Sequence, residues 1–299
     1  MNAVTAVNAV VHAMPAAPFL AAQRRHFLGS VLLPTAAMLI LPWVLPLMQQ
    51  AGWALGLLLG MWFLVGGVGV SVGLHRHFSH RSFEAAPWLR WVLGAFGSMA
   101  AQGPVVYWVS LHRMHHAAGD QPGDPHSPRV SAQPGKSRLL AAIHGHIGWV
   151  LEHDVPKPTR YARELIADPL VRRLNSAYPL FVAAGLLLPA VVGWLALGGW
   201  DGAVFGAFWG GVVRIALGHH VIWAINSVCH LPGQRSHDTA DGSANVAWLS
   251  LISWGESWHN NHHAHPVRAC FGEGWQQPDI GWWVVKACVA AGWARLRSA

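Results

Sequence analysis

The stretch AGWALGLLLGMWFLVGGVGVSVGLHRHFSH, residues 51–80, carries two signals in succession. Residues 51–74 contain no charged side chain and are long enough to cross a bilayer, which takes about 20 apolar residues. Directly behind them stand His75, His77 and His80. A span that ends in a histidine group sets the expectation for the whole chain: membrane helices with imidazole chemistry at one end. Gly52, Gly56 and Gly60 fall at four-residue spacing and predict a small-residue face for close helix packing.

The composition agrees. Charged residues make up 11% of the 299 residues, less than half of the roughly 25% usual in soluble domains. Hydrophobic residues reach 53%, with a mean hydropathy of +0.31. This excludes a disordered chain, as do the 18 tryptophans. Cys229, Cys270 and Cys288 form no CxxC pair, which excludes a disulfide framework or a cysteine zinc site. Three further apolar stretches predict spans at 27–48, 177–197 and 201–226. Residues 88–109 carry Arg90, Gln102 and Pro104 and read as an interfacial or half-buried segment rather than a span.

Basic residues set the expected orientation. The connectors between spans one and two and between spans three and four carry no Lys or Arg. Arg214 is the one basic residue inside a predicted span, with a functional role, or else snorkelling or carbonyl pairing within the bundle, as its two readings. The positive-inside rule then puts both termini and residues 75–176 in the cytoplasm. It also accounts for the isoelectric point near 10.0 without nucleic acid as a partner. The predicted organisation is a flexible tail without a secretory signal (1–26), two spans (27–74), a first cytosolic cap segment (75–176), two more spans (177–226) and a second cap segment (227–299).

The histidines, 20 in number, equal Lys and Arg together and are grouped. His112-Arg113-Met114-His115-His116 lies in the first cap segment, Asn226-Ser227-Val228-Cys229-His230 closes the last span, and His259-Asn260-Asn261-His262-His263 follows. In a helix, residues i, i+3 and i+4 share a face, so each HxxHH triplet converges, and Asn226 and His230 share a face. His75 and His80, five apart, lie about 140° apart on an α-helix and converge only where the helix departs from that geometry. Neutral imidazole is the commonest ligand of iron, copper, zinc and nickel. Nine such groups suffice for two ions. Carboxylates are too few for a ferritin-like site: Glu256-Ser257-Trp258-His259 is one Glu-x-x-His match with no second. HExxH, GxSxG, Walker and dinucleotide motifs are absent, so reducing power comes from a partner. Asp120, Asp124, Asp154, Asp238 and Glu256 are candidates to orient the imidazoles.

The ordered boxes HRHFSH, HRMHH, NSVCH and HNNHH resemble those of the membrane acyl-CoA desaturases, in their bacterial branch. So do Gly123–Pro128, His146–Trp149, Asp168–Leu170, Asn226–Arg235, Asp238-Thr239 and Gly255–Pro266, a likeness spanning about residues 50–285. Departures lie at Ser257, at Ser236-His237 and across 130–140. The resemblance implies an all-α integral membrane protein: four transmembrane helices under a cytosolic helical cap that holds a di-iron site, Fe2+ when reduced. It implies His75, His80, His112, His116 and His262 on one iron and His115, His230, His259 and His263 on the other, with Asn226 reaching a metal through water. His77, His126, His144, His146, His219, His220 and His265 are outside that set.

The implied activity is O2-dependent insertion of a cis double bond into a saturated fatty acyl chain carried on CoA, an acyl carrier protein or a membrane lipid. Two electrons would come from a ferredoxin, a rubredoxin or a cytochrome b5-type reductase chain. Trp108, Trp149, Trp223, Trp254 and Trp258 are candidate walls of an acyl tunnel. The alternatives are a hydroxylase or monooxygenase on the same scaffold and, from another class, a metal transporter.

Overall fold

The computed structural model describes residues 13–41, 51–131 and 137–297. Among the described residues, three helices are long and apolar enough to cross a membrane: Gly52–Ser79, Tyr178–Leu197 and Gly199–His230. They correspond to the expected spans at 51–74, 177–197 and 201–226, and the first and last run on past the apolar stretch to carry histidines. Of the expected span at 27–48, the segments Phe27–Leu32 and Leu33–Met38 are helical, while 42–50 lie outside the described residues. The divergent stretch at 130–140 likewise falls partly outside them.

Tyr178–Leu197 and the helix that follows pack almost backbone to backbone. The connection turns on Gly198 (φ 85°) and Gly199 (φ 64°), a conformation open to glycine at little cost. A Cβ at Gly193, Gly202 or Gly206 would overlap a carbonyl of the facing helix. The small-residue packing expected at Gly52, Gly56 and Gly60 is therefore found elsewhere: a Cβ at any of those three meets nothing within 4 Å among the described residues. Gly69 and Gly73, further along the same helix, are the ones pressed against the backbone of Phe96 and Leu93. Close approach follows where the partner lies, which spacing alone does not reveal.

The 88–109 region is two helices rather than a span. Pro87–Ser98 lies against the Gly52–Ser79 helix, and Val105–Ala118 carries the HRMHH box. Leu93, Val105 and Val109 of these helices pack with Leu74 and Leu174 of neighbouring ones in the main core.

Part of the expected flexible tail is ordered. Ala13–Met14 pairs antiparallel with Val155–Pro156, and the helix Leu20–His26 follows. Gln23 is buried, its amide donating to the His153 carbonyl at 2.8 Å, and the Asp154 carboxylate accepts from the Ala16 N–H at 3.2 Å. Polar anchors of this kind leave no apolar periodicity in the sequence. Residues 1–12 lie outside the described residues.

Arg214 is buried, and its guanidinium donates to the carbonyls of Gly210, Met99 and Gly185, the last two at 2.9 Å each. Of its two readings, carbonyl pairing is the observed one. Pro189 lies inside the Tyr178–Leu197 helix and has no N–H to offer Gly185. Met99 caps the Pro87–Ser98 helix, so its carbonyl also lacks a helical donor. Arg214 supplies both.

Candidate metal centre

The end of the Gly52–Ser79 helix is wide. From Trp62 to Ser79 the backbone is a π-helix, and the His80 N–H donates to the His75 carbonyl at 3.1 Å. With i→i+5 bonding, residues five apart come to one face, much as residues four apart do in an α-helix. This is the departure that the His75/His80 spacing required, and the two rings lie 4.8 Å apart.

His112, His115 and His116 project from the Val105–Ala118 helix, and His230 sits on the 3-10 turn Val228–His230 that ends the last long helix. His259, His262 and His263 stand on a helix of only 6 residues, His259–Ala264. So short a helix is not stable alone and must be held from outside. The asparagines between the histidines do this. Asn245 accepts from the N–H of Asn260 at 3.0 Å, Asn261 donates to the Phe271 carbonyl at 2.9 Å, and Asn260 accepts from the N–H groups of Ser236 and His237 at 2.8 Å each.

Two clusters result. His75, His80, His112, His116 and His262 each offer a ring nitrogen within 4.8 Å of all the others, and so do His115, His230, His259 and His263. Within them Nε2 faces Nε2: His75 to His262 at 3.1 Å, His116 to His262 at 3.1 Å, His80 to His112 at 2.7 Å, and His230 to His259 at 3.1 Å. The clusters adjoin, with the rings of His116 and His263 stacked at 4.4 Å.

In four of the nine histidines the opposite ring nitrogen meets a carboxylate. Nδ1 of His75 is bonded to Glu256, Nδ1 of His115 to Asp124 at 2.9 Å, Nδ1 of His230 to Asp120 at 3.0 Å, and Nδ1 of His263 to Asp241 at 2.5 Å. Each carboxylate takes the Nδ1 proton and so aims an Nε2 lone pair at the cluster centre, the arrangement found around metal-bound histidine. Nε2 of His115 and of His263 are buried without a hydrogen-bond partner. Lone pairs packed together with no proton between them are costly unless a cation lies among them. The donor set therefore fits two ions held by imidazole.

Electrostatics point the same way. Burial, and then the charge neighbouring imidazoles would carry, hold His80, His112, His116, His259 and His262 well below the usual imidazole range. They are neutral and able to ligate. Burial also lowers His263, to about 4, although Asp241 opposes it. His115 moves the other way, because the charge and hydrogen bond of Asp124 outweigh burial.

Three of the five candidate carboxylates thus orient histidines: Asp120, Asp124 and Glu256. Asp154 instead anchors the N-terminal segment, and Asp238 is exposed. The fourth orienting group, Asp241, is missing from the sequence-based set. Its signal was Asp241-Gly242-Ser243, a turn in which one carboxylate oxygen accepts from the Ser243 N–H at 2.9 Å, leaving the other for His263.

A cavity of about 460 Å³ opens beside the five-histidine cluster, with His112 in its wall. Trp108, Trp149, Trp223 and Asn226 line it too, and Gln23 and His26 of the N-terminal helix close one side. The Trp108 ring stacks on His112 at 5.3 Å. Trp254 and Trp258, of the expected tunnel wall, are not among the residues that line this cavity. Trp254 fills the notch left by Gly66 and Gly67 and packs on Trp62, while the Trp258 indole donates to the Pro278 carbonyl at 2.9 Å. Asn226 is in the cavity wall one turn before His230. Among the other histidines, His146 bridges Ser227 and His220 at 3.0 Å each, and His219 stacks on Trp223 at 4.9 Å.

Apolar helices capped by two imidazole clusters, with an apolar cavity alongside, define a membrane oxidoreductase of the histidine-box kind. The chain belongs to the fatty acid desaturase family, whose pattern it matches over residues 48–295. It is 40% identical to the hex-5-enoyl-[acyl-carrier protein] acetylenase of Moorena producens, over 88% of this chain and 82% of that protein. It is 36% identical to the sn-1 stearoyl-lipid 9-desaturase of Anabaena variabilis (78% of this chain, 79% of that protein). It is 35% identical to the sn-2 palmitoyl-lipid 9-desaturase of a Nostoc species (81% and 80%).

Proposed function

We propose that the protein inserts a cis double bond into a saturated fatty acyl chain, with O2 as oxidant and two iron ions held by the two histidine clusters. The observation that carries this is the position of His112, which belongs to the five-histidine cluster and also lines the cavity. A methylene in the cavity would lie beside the metal without further rearrangement, which is how orientation lowers a barrier. The balance is –CH2–CH2– + O2 + 2 e⁻ + 2 H⁺ → –CH=CH– + 2 H2O.

The bound iron pair supplies the oxidising power for an unactivated C–H bond. The chain's own residues would do the rest: His75, His80, His112, His116 and His262 would hold one ion and His115, His230, His259 and His263 the other, and Asn226 would reach an ion through water. Glu256, Asp124, Asp120 and Asp241 keep the Nδ1 protons in place, and Trp108, Trp149 and Trp223 exclude water and fix the chain. The absence of a dinucleotide motif supports an external electron donor, namely a ferredoxin, a rubredoxin or a cytochrome b5-type chain. The basic asymmetry supports a bacterial inner membrane with the clusters on the cytoplasmic side.

For the acyl carrier, the box resemblance favours CoA, whereas the names of the relatives favour a glycerolipid or an acyl carrier protein. The acetylenase relative supports a second reading, in which an existing double bond is taken on to a triple bond. The test is expression in a host whose lipids are then analysed as methyl esters by gas chromatography–mass spectrometry, with His262→Ala as control. New unsaturated chains absent from the control support the proposal. An unchanged profile in hosts rich in each carrier overturns it. Product oxygen derived from 18O2 assigns a hydroxylase instead.

A further inference from the structure

Away from the two clusters, His237, His265 and Glu273 bring one ligand atom each to within 4.8 Å of one another. His237 Nε2 lies 3.0 and 3.1 Å from the two Glu273 oxygens, and the His237 and His265 rings meet edge-on with centroids 5.1 Å apart at 82°. The interior four-histidine cluster repeats that geometry: His230 and His259 stand 5.0 Å apart at 75°, His115 and His230 5.0 Å apart at 79°.

We propose that these three residues form a third metal site, at the surface, which takes an exchangeable divalent transition ion such as Zn2+ or Co2+. Two imidazoles and one carboxylate are the donors such an ion prefers, and solvent completes its coordination. All three ligands ride on pinned backbone, so little entropy is lost on binding. The His237 N–H donates to Asn260, the His265 N–H to the carbonyls of Asn261 and His262, and the Glu273 N–H to the Gln277 side chain at 2.8 Å. Arg268 pairs with one Glu273 oxygen at 3.2 Å, and the other oxygen faces His237 Nε2 at 3.0 Å. The site also touches the interior. His265 ends the helix that carries His259, His262 and His263, and Asn260 of that helix holds the His237 backbone. An ion here would clamp the two loops that flank that helix.

The inference is independent of the proposed reaction, and its readout is metal binding. The full chain, purified in detergent with its own iron content measured beforehand, is titrated with Zn2+ by calorimetry. Co2+ binding is followed by its visible absorption. The expected result is one equivalent beyond the resident metal, weakened at least about tenfold in both His237→Ala and Glu273→Gln, with iron content unchanged; loss of even an outer-shell partner costs 10–100-fold in other sites. The second variant guards against misfolding of the first. No extra equivalent, or one that both variants retain, overturns the proposal. Zn2+ binding lost only on changing His262 or His263 would place the ion in the interior and overturn it as well.

Discussion

Replacing Arg214 by Leu tests whether a charge buried among membrane helices serves the scaffold. The substitution removes the donors that reach the Met99 and Gly185 carbonyls at 2.9 Å each. Hydrogen bonds to a charged group are worth about 1.5–3 kcal/mol each in soluble proteins. Interhelical bonds measured in a membrane protein average only about 0.6 kcal/mol. Both carbonyls here lack a helical donor, which argues for the upper part of this range, while removing a desolvated guanidinium returns some of the loss. A net destabilisation of about 2–3 kcal/mol follows, or a fall in Tm of roughly 4–10 °C. Pro189→Ala supplies the missing N–H to Gly185. It should have little effect alone and recover about 1 kcal/mol in the Arg214→Leu background. The assay is thermal unfolding in detergent followed by fluorescence-detected size exclusion, at one scan rate for all four proteins because unfolding of such chains is commonly irreversible. A Tm unchanged by Arg214→Leu refutes the reasoning, as does a loss that is the same with Pro or Ala at 189. Lost activity at an unchanged Tm would return Arg214 to a catalytic role.

Asp241→Asn and Glu256→Gln should each lower metal affinity about 10–100-fold by releasing the imidazole they orient, read as metal per chain by mass spectrometry after mild chelation. Gly66→Ala drives a methyl into the Trp254 ring and should cost about 1–3 kcal/mol, with recovery when Trp254→Phe is added, measured by Tm. Asp168 caps the helix Pro169–Ser176, accepting from the Leu170 N–H at 2.8 Å, and pairs with Arg90. Asp168→Ala should therefore cost about 1 kcal/mol. Burial acts to raise the Asp168 carboxyl, but its bonds to Arg90 and to the helix N-terminus prevail and hold it below its ordinary 3.8. A depressed carboxyl stabilises above its unfolded pKa, so the difference between wild type and Asp168→Ala should be full above pH 5 and shrink as pH falls through and below 3.8. A difference that persists at low pH would show that the cap alone, and not the charge, is responsible.

The clustered histidines were legible because the spacing that brings them together is local. HxxHH on a helix makes a converging triplet whatever surrounds it, and the charge asymmetry aligned all four groups with one side of the membrane. What escaped depended on tertiary contact. Asp241 acts on His263 from a loop whose course no periodicity records. Trp254 and Trp258 were indistinguishable from Trp108, Trp149 and Trp223 until the glycine notch at Gly66 and Gly67 and the Pro278 carbonyl were seen to occupy them. The order of residues 13–26 rests on Gln23 and Asp154, two polar contacts that a reading of apolar patterns passes over. Arg214 needed Pro189, on a different helix, to be explained.

The widened helix between Trp62 and Ser79 makes chain length itself a determinant of the metal site. Deleting one residue there would let the segment relax toward an ordinary α-helix. In that geometry His75 and His80 would stand about 140° apart and no longer converge, with both residues still in the sequence. An alignment scored by residue identity would find such a deletion mild, and the protein would find it fatal. The same arithmetic means that a histidine pair five residues apart, which a four-residue ruler discards, is a facing pair wherever the helix is wide.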